Sequence, residues 1–321
     1  MGLLHAPFHH NQKPARLACP IISLIIFLSA CGLPKNVTLL YRDKTIAASS
    51  LVWSPGGDQL AINSNRTNGI MAPITDIYIL DVKTGKTHLV VGNEFGTELS
   101  AKSWTSDGKH IVFQGFPRES NYGTWVADID GIAPPKFLSA QFQVTSINGK
   151  TAFARGNLDT KESSLYIRDD STSKEMKIFT SKEGTIQDFS WSPDGSKLMI
   201  LFEVGQTVNS SVYVYDIGTN KTTQIIHDKK IGDPQFSPDG KMLVYLKADP
   251  NSLFPGAYYY LYIMKSDGSC DMEVPGDLQV NFPAWSPDGK RIAYTDDMGV
   301  YILDLIGAFG ADIVEKGLPC Q

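Results

Sequence analysis

The sequence lacks an apolar run long enough to cross a bilayer. Its main hydrophobic stretch, Leu17 to Ala30, covers 14 residues and is interrupted by Pro20, whereas a spanning helix needs about 20. Sustained 3.6-residue apolar periodicity is also missing, which argues against a helical bundle. Histidine is scarce: of six, only His88, His110 and His227 lie beyond residue 30. None of these has H-x-x-x-H spacing, and no cysteine pair has zinc-ligand spacing, so no metal site is read. A basic surplus is missing too. The formal net charge is −5, or −7 once the first 30 residues are set aside, which removes the electrostatic footprint nucleic-acid binding requires. There is no G-x-S-x-G nucleophile elbow and no cofactor fingerprint. No catalytic residue is assigned, and no cofactor is expected.

What is abundant is turn chemistry. The 321 residues include 28 Gly and 18 Pro, with 10% aromatics, a mixture suited to many short strands joined by tight turns. A turn-centred motif recurs. It reads Trp53-Ser54-Pro55-Gly56-Gly57, Trp104-Thr105-Ser106-Asp107-Gly108, Trp191-Ser192-Pro193-Asp194-Gly195, Phe236-Ser237-Pro238-Asp239-Gly240 and Trp285-Ser286-Pro287-Asp288-Gly289. A worn copy is Thr145-Ser146-Ile147-Asn148-Gly149. The turn glycines are 51, 41, 46, 45 and 49 residues apart. Proline presets φ at the first central position of a type I turn, Asp suits the second, and Gly accepts the left-handed conformation that closes the hairpin.

A second anchor follows each turn: Ile77-Tyr78-Ile79-Leu80-Asp81, Thr124-Trp125-Val126-Ala127-Asp128, Leu165-Tyr166-Ile167-Arg168-Asp169, Val212-Tyr213-Val214-Tyr215-Asp216, Leu261-Tyr262-Ile263-Met264-Lys265 and Val300-Tyr301-Ile302-Leu303-Asp304. Two anchors in register over six blocks predict an all-β fold, a six-bladed β-propeller of four-stranded blades spanning 37–321. Val37 to Tyr41 lies where a fourth strand would fall and is expected to close the ring on the last blade, with Asp312 to Glu315 competing for that place.

The turn followed by the I-Y-[IV]-x-D strand resembles the WD40-like repeats of the TolB type, over roughly residues 37–316. The same repeats occur in propellers of prolyl-oligopeptidase relatives. TolB carries an α/β domain before its propeller and the oligopeptidase relatives a hydrolase domain after theirs; neither is expected here. The resemblance implies a propeller used for protein or ligand contact.

The N-terminus reads as an address. Lys13 and Arg16 precede the apolar run, which closes Leu28-Ser29-Ala30-Cys31. This pattern describes a secretory signal over 1–30. Its end resembles a bacterial lipobox, with Cys31 the lipid-attachment residue and 31–36 a short tether. Extracytoplasmic attachment to a bacterial membrane, periplasmic or at the cell surface, follows. Cys270 and Cys320 then stand in an oxidising compartment, as a disulfide or as two free thiols.

Asp128-Ile129-Asp130-Gly131 superficially suggests a calcium loop, but Gly131 comes too early and the twelfth position is not Glu, so a hairpin is expected. The more informative places are the loops joining second to third strands, which gather on one propeller face. Exposed loop aromatics and arginines are usual interface anchors. Arg66, Phe116, Arg118, Tyr122, Arg155, Phe254 and Tyr258 are the candidate partner-binding set. The expected function is a membrane-tethered scaffold, a single chain that binds a protein or peptide partner by this face and the channel mouth. The rival is a carbohydrate-binding or polysaccharide-cleaving propeller, marked by paired channel carboxylates.

Overall fold

In a computed structural model of the chain, the described residues run from 33 to 318, excepting 43–46, 67–73, 119–122, 140–143, 146–147, 158–161, 183, 205–208, 250–258, 277, 297–298 and 314–316. They form six four-stranded antiparallel sheets, each one blade. Blade 1 contains β2 (Ala47–Trp53), β3 (Gln59–Arg66), β4 (Ile74–Asp81) and β5 (Thr87–Val91). Blade 2 contains β6 (Gly96–Trp104), β7 (His110–Pro117), β8 (Gly123–Asp128) and β9 (Lys136–Ser139). Blade 3 contains β10 (Val144–Thr145), β11 (Lys150–Asn157), β12 (Glu162–Asp169) and β13 (Glu175–Ser181). Blade 4 contains β14 (Gly184–Trp191), β15 (Lys197–Val204), β16 (Asn209–Asp216) and β17 (Lys221–Lys229). Blade 5 contains β18 (Ile231–Phe236), β19 (Met242–Ala248), β20 (Tyr259–Lys265) and β21 (Met272–Glu273). Blade 6 takes β22 (Asn281–Trp285), β23 (Arg291–Thr295) and β24 (Val300–Asp304) from the end of the chain and β1 (Val37–Tyr41) from its beginning.

The competition for ring closure is thus decided. β1 pairs antiparallel with β24, Val37 opposite Leu303 and Thr38 opposite Ile302. Asp312 and Ile313 are helical rather than extended, and Ile313 is buried with Leu305 and Leu318 against blades 5 and 6. A short helix, α1 (Leu305–Phe309), starts this return, with Asp304 capping the Ile306 and Gly307 amides.

The repeated turn owes its residue types to a small hydrogen-bond circuit. In blade 4, the buried Ser192 hydroxyl donates to Asp194 Oδ1 at 2.7 Å and accepts from the Lys197 amide at 2.9 Å. Gly195 then closes the hairpin at φ 67°. Blades 5 and 6 repeat the circuit at Ser237–Asp239 and Ser286–Asp288. The anchor tryptophans lock neighbouring blades together. Trp53 Nε1 donates to Ala284 O at 3.0 Å and Trp104 Nε1 to Val52 O at 2.9 Å, each reaching the residue just before the preceding blade's anchor. Trp285 departs from this pattern: its buried indole N–H has no partner.

Buried apolar clusters join blade 1 to 2, 3 to 4, 4 to 5, 5 to 6 and 6 to 1. Among the described residues no buried cluster joins blade 2 to blade 3. The register gives the reason. Where blade 1 pairs Leu60 with Leu80 on the face turned to the preceding blade, blade 3 pairs Thr151 with Arg168. The outer strands show the same contrast from the other side. A bulge places Val90 of β5 between the partners of Ile77 and Tyr78, and an equivalent bulge places Leu138 of β9 between those of Thr124 and Trp125. Val90 is 7% exposed against blade 2, whereas Leu138 is 54% exposed. Among the described residues, the seam between blades 2 and 3 is therefore the weakly packed one.

Candidate functional site

Of the seven candidate partner-binding residues, Tyr122, Phe254 and Tyr258 lie outside the described residues, and of Arg66 only the backbone, at the end of β3, is described. Phe116 and Arg118 come together at the end of β7, where Thr97 of β6 opposes Phe116. Phe116 is 42% exposed. Arg118 folds back on its own blade, donating from Nε to Glu94 O and from Nη2 to Asn93 O, both at 3.1 Å. Arg155 stands on a different blade and is also occupied. It lies 4.7 and 4.8 Å from the Phe153 and Tyr166 ring centres and pairs with Glu175 at 2.9 Å. Beside it Lys177 bonds Glu162 at 2.9 Å, and that contact, with Ser164 and Thr180, pulls the Glu162 carboxyl down to about 2. These residues clothe the blade 3 side of the seam.

The three histidines have local duties. His88 Nε2 meets Ile129 O at 2.8 Å, His110 sits 3.1 Å from Asp128, and His227 bonds Gln224 and Ser211. The Asp128–Gly131 segment is a turn, Gly131 N bonding Asp128 O with φ 67°. Cys270 is disulfide-bonded; Cys31 and Cys320 fall outside the described residues.

The most developed site is the central channel. A cavity of about 460 Å³ is walled by the innermost strands of blades 1, 2, 4, 5 and 6. Each of these strands carries an irregularity in its pairing: between Ala48 and Ser50, Thr97 and Ser100, Ile186 and Asp188, Gly232 and Gln235, and Asn281 and Ala284. Three bulges force a non-glycine residue to positive φ: Glu98 at 55°, Asp233 at 47° and Phe282 at 49°. Bulges re-aim side chains, and backbone held in this region concentrates at functional sites. Here they turn Asp233 and Phe282 to the cavity beside Asp188 and Lys102.

The two carboxyl groups are electrostatically unusual. Burial pushes Asp188 above the usual carboxylate range, against the 2.8 Å bond it accepts from the Phe189 amide and the pull of Lys102. Burial raises Asp233 as well, and the Asp188 charge adds to it, while the Phe282 amide and Lys102 oppose. Asp188 is surrounded by protein yet reached by channel solvent, since its side chain opens on the cavity. Gln235 Nε2 donates to Pro283 O at 2.7 Å, fixing the blade 5 wall to blade 6. The remaining lining is largely aromatic and prolyl, including Trp53, Phe236 and Pro287.

The sequence reading missed these channel residues. One available signal was proline inside an anchor strand: Asp233-Pro234 and Phe282-Pro283 each lie just before the anchor aromatic, and proline in a strand interior marks a bulge or an edge.

Known proteins place this architecture. TolB of the Tol-Pal system from Francisella tularensis subsp. mediasiatica is 23% identical over 266 residues, 80% of this chain and 58% of that protein. A solved structure of a TolB from Agrobacterium tumefaciens superposes with a TM-score of 0.55 at 19% identity, covering 81% of this chain and 90% of the other. The fold is a TolB-like β-propeller. The chain spans less than two thirds of the curated TolB relatives it matches. The same likeness of fold extends to an oligogalacturonate lyase from Vibrio parahaemolyticus, with a TM-score of 0.54 at 12% identity, covering 85% of this chain and 95% of that one. Separately, the family model described as eukaryotic translation initiation factor eIF2A matches residues 146–247, which run through the TolB-like propeller from blade 3 into blade 5. No helix among the described residues is long and apolar enough to cross a membrane.

Proposed function

We propose that this TolB-like propeller is a protein- or peptide-binding scaffold whose partner docks on the face where the inner strands begin and reaches into the channel mouth. The observation that carries the reading is the channel cavity, with strained backbone at Asp233 and Phe282 on its wall. Phe116 supports it from the same face, since the end of β7 lies beside the start of β6. Arg118 and Arg155 take supporting roles in this reading, because their guanidinium groups hold their own blades together. We further propose that Cys31 carries a diacylglycerol, that the tether 31–36 holds the propeller at a membrane on its extracytoplasmic side, and that Cys270 pairs with Cys320. Cys270 packs against the buried cluster that holds Leu318, two residues before Cys320.

The glycan reading draws on the paired channel carboxylates Asp188 and Asp233. Both lie in one cavity whose lining cation among the described residues is Lys102, a wall that would repel a polyanionic sugar chain. Any glycan taken there would be neutral or cationic.

The test is site-specific photo-crosslinking in cells from Phe116, from Lys102 in the channel, and from Ile132, which is 85% exposed on the outer side of blade 2. The reading expects one protein to be captured from both Phe116 and Lys102 but not from Ile132. Capture of unrelated proteins, or equal capture from all three positions, refutes it.

A further inference from the structure

We propose that the channel cavity receives an organic cation, a primary ammonium or guanidinium on an aliphatic stem. This deepens the partner-binding reading by naming the chemistry the channel mouth admits. Among the described residues the charged side chains lining the cavity are Asp188 from β14, Asp233 from β18 and Lys102 from β6. With all three ionised, this part of the wall is one positive charge short. Lys102 draws both carboxyl groups toward ionisation but does not cancel the cost of burying them, since both remain raised. A cation entering the cavity supplies the missing charge and stabilises the ionised forms. Acceptor capacity is also present. An ionised carboxylate offers about four lone-pair sites, and the Phe189 and Phe282 amides use one on each aspartate.

The geometry selects an organic cation over a metal ion. Hard divalent ions take six to eight oxygen ligands, or bind with most of their water retained. Among the described residues no group of three or more His, Cys, Asp or Glu side chains is placed to hold a metal. The Lys102 ammonium near both carboxylates also disfavours a compact dication, whose charge would exceed the single negative charge left over. A cavity of about 460 Å³ with the partly exposed Phe282 on its wall suits a head group on a stem. The carboxylates supply charge-assisted hydrogen bonds to the head group. A lysine or arginine of a partner segment and a free polyamine share this head group.

The experiment is calorimetric titration of the propeller, residues 32–321, at pH 7.5 and low salt. The probes are end-blocked peptides of one sequence bearing a central Arg, Lys or citrulline, with free spermidine and calcium chloride as separate arms. The proposal expects the Arg and Lys peptides to bind at least tenfold more tightly than the citrulline peptide. Asp188→Asn and Asp233→Asn should each weaken the cationic probes about tenfold and narrow their advantage over the citrulline peptide. Asn tolerates the positive φ of Asp233, and a thermal melt of each variant checks its folding. Spermidine binding with no peptide preference would identify a free amine as the source. Equal affinity for Arg and citrulline without spermidine binding, indifference to both substitutions, absence of binding by every cationic probe at millimolar concentration, or calcium displacing the cations would each overturn the proposal. Crosslinks that converge from Phe116 and Lys102 with neither an arginine preference nor spermidine binding would leave the partner reading standing and remove this one; aspartate-dependent amine binding without such crosslinks would do the reverse.

Discussion

Leu138 and Val90 occupy the same structural position, the extra residue of the outer-strand bulge opposite the second-anchor aromatic, and they offer a direct measurement of the seam. Val90 is 7% exposed and belongs to the cluster joining blades 1 and 2, while Leu138 is 54% exposed. Truncating Val90 to Ala removes two buried methyl groups. At ~0.8 kcal/mol per buried carbon plus a cavity contribution, the cost is about 2 kcal/mol. Leu138→Ala removes three carbons, one more. If the seam were packed like its five counterparts, the cost would be roughly 2.7–5 kcal/mol. With more than half its surface already in water, the expected cost is about 1 kcal/mol or less.

The smaller side chain should therefore be the more expensive one to truncate. Urea denaturation followed by tryptophan fluorescence gives both values, provided the two variants keep the wild-type m-value. The denatured state contributes little to the comparison, since both changes shorten an aliphatic side chain to Ala. Thermal melts should agree, at about 2 °C per kcal/mol for a domain of this size. A Leu138→Ala cost equal to or above that of Val90→Ala would refute the open seam, and with it the account that polar pairing of Thr151 and Arg168 weakens this interface.

Trp53→Phe and Trp285→Phe remove the same ring atoms, but only Trp53 loses a hydrogen bond, so its cost should exceed that of Trp285→Phe by about 1 kcal/mol in equilibrium unfolding. Asp188→Asn and Asp233→Asn should each raise the Tm at pH 7: their folded carboxyl groups hold a proton more tightly than the unfolded chain does, so their contribution is favourable below the unfolded value near 3.9 and is lost as pH rises through the folded one. The gain should vanish in melts below about pH 4; a gain that persists there would assign the effect to something other than ionisation. Deleting 37–41 removes the strand paired with β24, and the product should lose its cooperative melt by near-UV circular dichroism. Cys31→Ser should move the protein from the membrane pellet to the soluble fraction, and Cys270→Ser should expose one extra thiol, at Cys320, on titration of the unfolded mature chain.

The repeat made the fold legible because turn chemistry and strand alternation are local properties. Ser192-Pro193-Asp194-Gly195 announces its hairpin within four residues, and six copies count the blades. Ring closure by Val37–Tyr41 was legible for the same reason, as a missing outer strand, although Asp312 to Glu315 competed for the place until the structure paired Val37–Tyr41 with β24. The seam was only half visible. Arg168 stands where the other copies of that anchor carry Leu80, Ala127, Tyr215, Met264 and Leu303, a polar break in an apolar column, but which blade it would face is a matter of register. The local contacts of the loop arginines were not legible because an exposed-loop position says nothing about satisfaction: Arg118 finds two backbone carbonyls 24 and 25 residues back, a contact that only the sheet brings about.

The channel escaped the reading because the repeat fixes which position faces the axis but not which side chain stands there. A six-fold motif places equivalent side chains on every blade, and such a ring can fill a channel but cannot distinguish one ligand from another. Each inner-strand bulge shifts the pleat just before the anchor, and the position three residues ahead of the anchor aromatic lines the cavity in five blades with a different chemistry in most: Ser50 in blade 1, Ala101 in blade 2, Asp188 in blade 4, Asp233 in blade 5 and Phe282 in blade 6. The same displacement costs stability, through positive φ at Asp233 and Phe282 and through two carboxyl groups held where they resist ionisation. Stabilising substitutions are readily found for most folds, and destabilising features that persist tend to be those function requires. If Asp188→Asn and Asp233→Asn stabilise the propeller while weakening its hold on a cationic probe, the bulges are the device that converts a structural repeat into a binding site.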